Sequence, residues 1–364
     1  MTSSDLTVGI VGLGFGRAHI PGFQLAGCCV VALSQRNETA ARAVADQYGV
    51  PQVYARWEEM IDKARPDIVV IATPPVLHKA IALRAFEAGA HVLCEKPLAM
   101  SRDEGRAMVE AAERFKRVAM TGFNWRFPPA LQELHARIGT LGRPFHVNCR
   151  WLGSRYADES AAATWRLDRA QAGLGAMGDM GVHLVDLVRW NVGEFTRVCA
   201  QAGMAYPGRT LPSVAKPADA EDFCSVVGEL ASGAQVTLMV SRAARGANET
   251  TFEVYGARGA LRCVIDRQKP RWWIGELAIA GESGAIAPIT PPGAPPDSVG
   301  EGDPLEVIGK ATIAPLVTRL LEGIRTGTTP SPSLADGLHA QAVLDAVSES
   351  LERGGWAAVS SVSS

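Results

Sequence analysis

The chain has 364 residues, 47% of them hydrophobic and 20% charged, with 38 acidic against 36 basic side chains and a formal net charge of -2. That length accommodates two domains and a sizeable core, and the near-neutral balance, without any basic run, argues against a nucleic-acid binder. The first apolar stretch ends at Gly12 with no positive region before it, too short for a signal peptide or a membrane span, so a cytoplasmic protein with no membrane partner is expected.

Taken in chain order, β-branched runs at 7–11, 30–34, 68–72, 91–95 and 118–122 predict strands. Amphipathic segments at 38–48, 56–64, 77–88 and 101–115 predict helices between them. Ser101 stands where an N-cap belongs and Gly89 where a C-cap belongs. Pro21 should kink the first helix. Continuous apolar strands alternating with helices predict a parallel sheet covered on both faces. After Gly122 the pattern changes. A helix over 128–138 and a strand over 145–151 precede a polar segment, 153–173, and a helix over 177–192. Strand signals follow without helices at 222–230, 235–242, 251–255, 260–266 and 272–279, joined by Gly-containing turns. The Pro/Gly-rich stretch 284–304 reads as a surface loop, and helices over 308–325 and 334–353 close the chain. The predicted fold class is α/β: an N-terminal Rossmann doubly wound parallel sheet over 1–123, then a C-terminal α+β domain over 124–364 with a large, mostly antiparallel sheet. The seven cysteines are scattered and form no C-x-x-C pair, so reduced thiols are expected rather than a zinc site or disulfide frame.

The first strand runs into Gly12-Leu13-Gly14-Phe15-Gly16. Gly12 suits a tight turn, and Gly14 lets backbone approach a pyrophosphate that the next helix start would favour. The spacing departs from G-x-G-x-x-G, because the third glycine arrives one residue early. About twenty residues on, an acidic residue would hold an adenosine ribose diol. Here the residues are Ser34-Gln35-Arg36-Asn37, and no acid comes before Glu38. Arg36 can pair with a 2′-phosphate and Ser34 or Gln35 can hydrogen-bond it. NADP(H) is therefore the preferred cofactor, with NAD(H) as the alternative.

Two further constellations carry chemistry. Glu95-Lys96-Pro97 follows a central strand, at the carboxyl edge where such sheets bind ligands. A lysine there can stabilise an alkoxide-like oxygen. Later, Gly178-Asp179-Met180-Gly181-Val182-His183 has helical pattern, with Asp179 and His183 four apart on one face. Glycines 173, 175, 178 and 181 would let a ligand approach that helix start. His183 suits a general acid or base. A zinc reading of Asp179, His183 and His78 lacks a thiolate or second histidine at ligand spacing, and no metal is expected.

The Gly12–Gly16 turn, Ala72-Thr73-Pro74-Pro75 with His78, Cys94–Ala99, Gly122–Phe127, Trp165-Arg166, the Gly178–Asp186 helix and Asp336-Gly337 form an ordered set. Together they resemble the glucose-fructose oxidoreductase / inositol dehydrogenase / rhizopine-catabolism (Gfo/Idh/MocA) family over nearly the whole chain. The resemblance implies an NAD(P)-dependent enzyme that oxidises a secondary hydroxyl of a sugar, sugar derivative or cyclitol, or runs the reverse reduction. Lys96, Asp179 and His183 match the family's catalytic positions. Gly12, Gly14, Phe15, Gly16, Ser34, Gln35, Arg36, Thr73, Pro74, His78, Glu95, Lys96 and Arg166 stand as cofactor-binding residues. Lys96, Asn124, Arg126, Arg155, Tyr156, Asp179 and His183 are the candidates to meet a polyhydroxylated substrate, whose several hydroxyls call for several polar partners. A homodimer or homotetramer through the C-terminal sheet is also implied. A non-catalytic dinucleotide sensor on the same fold, or a reductase of a non-sugar carbonyl, are the competing readings. Retention of all three catalytic positions favours the enzyme.

Overall fold

A computed structural model describes residues 6–211, 216–282, 284–293, 297–300 and 302–362. The chain divides into two compact units, Met1–Phe127 with Pro296–Leu338, and Pro128–Pro295 with His339–Ser364. A single cut at 123/124 was expected from the sequence, whereas residues 296–338 return to the first unit.

The first unit opens with β1 (Thr7–Val11), α1 (His19–Leu25), β2 (Cys29–Ser34), α2 (Glu38–Tyr48), β3 (Gln52–Tyr54), α3 (Trp57–Ala64), β4 (Ile68–Ile71), α4 (His78–Glu87), β5 (His91–Cys94), α5 (Arg102–Arg114) and β6 (Ala119–Thr121). The six strands form one sheet in the order β3-β2-β1-β4-β5-β6, all parallel. That is the doubly wound order with its reversal between β1 and β4, where such sheets bind ligands. Val8, Ile10, Ile68, Val69, Val70, Ile71, Val92 and Leu93 are fully buried, as strands covered on both faces require. The Ser101 side chain caps α5 by accepting from the Glu104 N–H, as its position predicts. Pro21 produces no mid-helix break. A 3-10 turn over Phe15–Ala18 precedes α1, so Pro21 falls in the first α-turn, where its missing N–H has no intrahelical partner to lose.

The second unit begins with α6 (Pro129–Arg137), β7 (Pro144–Leu152), α7 (Arg169–Ala172), a π-turn over Met177–Gly181 and α8 (Val182–Asn191). Strands β8 (Phe195–Gly203), β9 (Thr210–Leu211), β10 (Lys216–Pro217), β11 (Phe223–Leu230), β12 (Gln235–Ser241), β13 (Glu249–Gly256), β14 (Gly259–Asp266), β15 (Glu276–Ala280), β16 (Ala287–Ile289) and β17 (Ala357–Ala358) follow. Nine of them make one sheet in the order β16-β15-β14-β13-β7-β12-β11-β8-β17, antiparallel except between β7 and β12. Along β11 and β12 buried and exposed residues alternate, so one sheet face is buried and the other open. The strand expected over 272–279 starts late, because Lys269–Gly275 is a turn with Arg271 at φ 57°. β8 escaped sequence reading because only Phe195 and Val198 along it are buried. Within 284–304, β16 adds a short strand and residues 294–296 and 301 lie outside the described residues.

The returning segment supplies α9 (Pro304–Ile308), a second π-turn over Gly309–Ile313 and α10 (Ala314–Thr326), where one helix over 308–325 was expected. A Cβ on Gly309 would meet the Ala18 carbonyl oxygen at 2.3 Å. The π-turn thus brings its backbone against the turn before α1, and this docking explains why the segment belongs to the first unit. Helix α11 (Leu334–Arg353) runs from the first unit into the second. No helix among the described residues is long and apolar enough to cross a membrane.

Candidate active site

In the first unit the expected cofactor residues gather at the carboxyl ends of the parallel strands. Gly12 follows β1 at φ 89°, and its N–H donates to the Ser34 carbonyl at 2.9 Å. A Cβ there would meet the Ala72 carbonyl oxygen at 2.6 Å, so only glycine admits both the turn and the approach of the β4 exit. Gly16 packs on Ala72 and Ile10, with a Cβ position 3.1 Å from the Ala72 methyl. That is the close packing expected of the motif's third glycine. It arrives one residue early because the chain enters a tighter 3-10 turn rather than an α-turn. The residues fit a dinucleotide. A Cβ at Gly14 would project into open space, no side chain caps the turn that starts there, and the buried Thr73 hydroxyl has no partner among the described residues.

Ser34 is buried and Arg36 exposed at the β2 exit. Asn37 caps α2 by accepting from the Ala40 N–H at 3.0 Å. His78 is fully buried, with Nε2 2.9 Å from the Thr73 carbonyl oxygen and Nδ1 3.1 Å from that of Pro97. It therefore ties the β4 exit to the turn that carries Lys96. Burial holds its imidazole below the usual histidine range, against the opposing pull of those carbonyls and Glu95. Glu95 is buried beside Lys96, and its carboxylate accepts from His19 at 2.8 Å. His19 was not singled out by sequence reading. The only signal was a titratable residue inside the apolar run Ala18-His19-Ile20.

Asn124 and Arg126, expected to meet substrate, have partners inside the first unit. Asn124 donates to the Thr312 hydroxyl at 2.8 Å, and Arg126 to Ser331 at 2.8 Å and Asp336 at 3.1 Å. Both tie the returning segment to the β6 exit. In the second unit Tyr156 is likewise buried in a small cluster with Ala163, Leu167, Leu211 and Ala218, its hydroxyl 2.9 Å from that of Thr164. Arg155 is exposed, its guanidinium 5.7 Å from the Tyr156 ring.

Asp179 lies in the π-turn and His183 in the first turn of α8. Single π-turns occur at functional sites more often than elsewhere. The Asp179 carboxylate forms an ion pair with Arg166 at 3.5 Å. The buried His183 ring lies 5.5 Å from that of Trp151 on β7, tilted by 39°. Glu221, absent from the sequence reading, holds this segment. Its buried carboxylate accepts from the N–H groups of Gly175 at 2.8 Å and Met177 at 2.9 Å. A Cβ on Gly175 would fall 2.1 Å from the Glu221 carbonyl oxygen, and one on Gly181 2.4 Å from Met177 Sδ. These two glycines therefore admit neighbouring protein atoms rather than a ligand.

Comparison with known proteins covers both units. The model of an oxidoreductase family with an NAD-binding Rossmann fold matches residues 6–123, and that of the GFO/IDH/MocA C-terminal domain matches 131–262. The chain is similar to a levoglucosan dehydrogenase of Pseudarthrobacter phenanthrenivorans, 31% identical with 99% of each chain covered. It is also similar to a D-apiose dehydrogenase of Paraburkholderia graminis, 28% identical over 95% of this chain and 87% of that one. A solved levoglucosan dehydrogenase in complex with NADH and levoglucosan superposes with a TM-score of 0.86 at 29% identity, covering 98% of this chain and 100% of the other.

Proposed function

The chain belongs to the GFO/IDH/MocA oxidoreductases, and from that premise we propose that it oxidises a secondary hydroxyl of a sugar, sugar derivative or cyclitol, or reduces the corresponding carbonyl. The observation that carries this reading is Lys96 at the β5 exit, in the same row of strand ends as the Gly12–Gly16 turn and Thr73. When bound, a nicotinamide dinucleotide gives or takes the hydride. Lys96 donates a hydrogen bond to the reacting oxygen and favours its developing negative charge. His183 exchanges the hydroxyl proton. Asp179, which faces the Arg166 guanidinium at 3.5 Å, accepts from a neighbouring hydroxyl. Dinucleotide reduction is followed across anhydrosugars, pentoses, hexoses and cyclitols. The reading stands if at least one is oxidised and falls if none is while the dinucleotide binds.

NADP(H) is the preferred cofactor in this reading, because Arg36 is exposed at the β2 exit with no carboxylate before Glu38. A charge-assisted pair with a 2′-phosphate contributes about 1.5–3 kcal/mol. Calorimetry should show Arg36→Ala weakening NADP+ binding by about 10-fold or more and leaving NAD+ binding within about threefold. Tighter binding of NAD+ by the unaltered protein would reverse the assignment.

The open face of the second unit's sheet presents Phe223, Val227 and Met239, which are 38%, 47% and 42% exposed. Ser225 pairs with Met239, and Val227 lies two residues further along β11. We assign this face to a second copy of the chain, since burying such a patch is the favourable term in association. Light scattering should report a dimer or tetramer that Val227→Lys with Met239→Lys converts to monomer. An unaltered monomer, or an assembly that ignores the double substitution, would refute it.

A further inference from the structure

His19 is fully buried at the start of α1, and its Nε2 lies 2.8 Å from Glu95 Oε1. The other carboxylate oxygen, Oε2, accepts from the Lys96 backbone N–H at 3.3 Å. Gly122 closes over the carboxylate, since a Cβ there would fall 2.8 Å from Oε1. Glu95 is thus gripped from three sides, with Lys96 as the next residue in the chain. On its other flank the His19 ring meets Phe15 edge-on at 5.9 Å. Phe15 belongs to the Gly12–Gly16 turn. One imidazole therefore touches both the turn expected to hold the dinucleotide and the carboxylate that anchors the lysine loop. A buried polar side chain contributes stability only when well partnered, and a leucine would fill the same volume without a hydrogen bond.

We propose that His19 is a positioning residue, which through Glu95 fixes the direction of Lys96 relative to the dinucleotide-binding turn. The proposal rests on the reading above, in which Lys96 touches the reacting oxygen. His19 itself touches no reacting atom. Its Nε2–H donates to the carboxylate, and the carboxylate orients the Lys96 backbone. Misplacement of a catalytic group by about 1 Å can cost about 100-fold in rate.

The test compares His19→Leu, which keeps volume and loses the donor, with His19→Gln, whose amide can donate in place of Nε2–H. His19→Leu should lower kcat about 10–100-fold with dinucleotide Kd by calorimetry within about threefold, and His19→Gln should recover most of the loss. Lys96 is also observed directly, without turnover, by NMR of reductively 13C-methylated lysines in the apo-protein, assigned with Lys96→Arg. His19→Leu should move the Lys96 signal and leave those of Lys63 and Lys269 in place. An unmoved Lys96 signal, an unchanged kcat, or a His19→Gln variant no better than His19→Leu would overturn the proposal. Should His19→Leu not fold, Glu95→Gln carries the Lys96 NMR readout, and an unmoved Lys96 signal there overturns the proposal equally. A Lys96→Met variant with full activity would instead refute the assigned role of Lys96, while the NMR signal still decides whether His19 positions it.

Discussion

Replacing His183 with Ala is expected to lower kcat by about 10²–10⁴-fold, the usual contribution of a positioned general acid or base. The ring is 3% exposed and lies against Trp151, so truncation also removes packing. Two controls separate the effects. Dinucleotide affinity should stay within about threefold, because the Gly12–Gly16 turn and Thr73 belong to the other unit. His183→Asn, which fills more of the space but cannot exchange a proton near neutral pH, should be nearly as inactive as His183→Ala. Loss in kcat without a matching change in substrate KM would mark a group acting in the transition state. Near-normal turnover by either variant would remove His183 from the chemistry.

Gly175→Ala is expected to be the most damaging single methyl in the second unit. The new Cβ would fall 2.1 Å from the Glu221 carbonyl oxygen, 2.7 Å from its nitrogen and 2.8 Å from Arg242 Nη2. A Cβ has no rotamer to escape through, so backbone must separate. Separation strains three hydrogen bonds, since the Glu221 carboxylate accepts from Gly175 and Met177 and its carbonyl accepts from Arg242 Nη2 at 2.8 Å. Overpacking costs about 1–3 kcal/mol and more where backbone must move, so a loss of about 3 kcal/mol or more in urea unfolding is expected. Activity should fall with it, because Asp179 stands in the π-turn that Glu221 holds. A loss below about 1 kcal/mol would mean that the segment carrying Glu221 shifts freely and that the turn does not depend on it.

The contrast between Gly175 and Gly14 shows how far sequence reading reaches. Both were read as places where a ligand comes close. Gly14 fits that reading, because a Cβ there would meet no protein atom within 4 Å. Gly175 faces Glu221, 46 residues away in the chain, and nothing local announces that neighbour. Asn124, Arg126 and Tyr156 teach the same lesson. Each is polar and follows a strand, yet each has its partner inside its own unit, Arg126 with Asp336 some 210 residues on. Sequence cannot separate a side chain aimed at a ligand from one aimed at a distant segment.

By itself the sequence determined the parallel sheet and most of its helices, because strands buried on both faces must be continuously apolar and capping acts over three or four residues. It also marked the Gly turn, Lys96 and Asp179, which stand beside glycine or proline at element ends, and His183, four residues after Asp179. Tertiary structure alone decided that residues 296–338 return to the first unit, that a π-turn rather than an α-turn carries Asp179, and that His19 and Glu221 hold the segments bearing Lys96 and Asp179. These features depend on contacts between residues far apart in the chain, and hydrophobic periodicity records only which face of an element is buried, not what it is buried against.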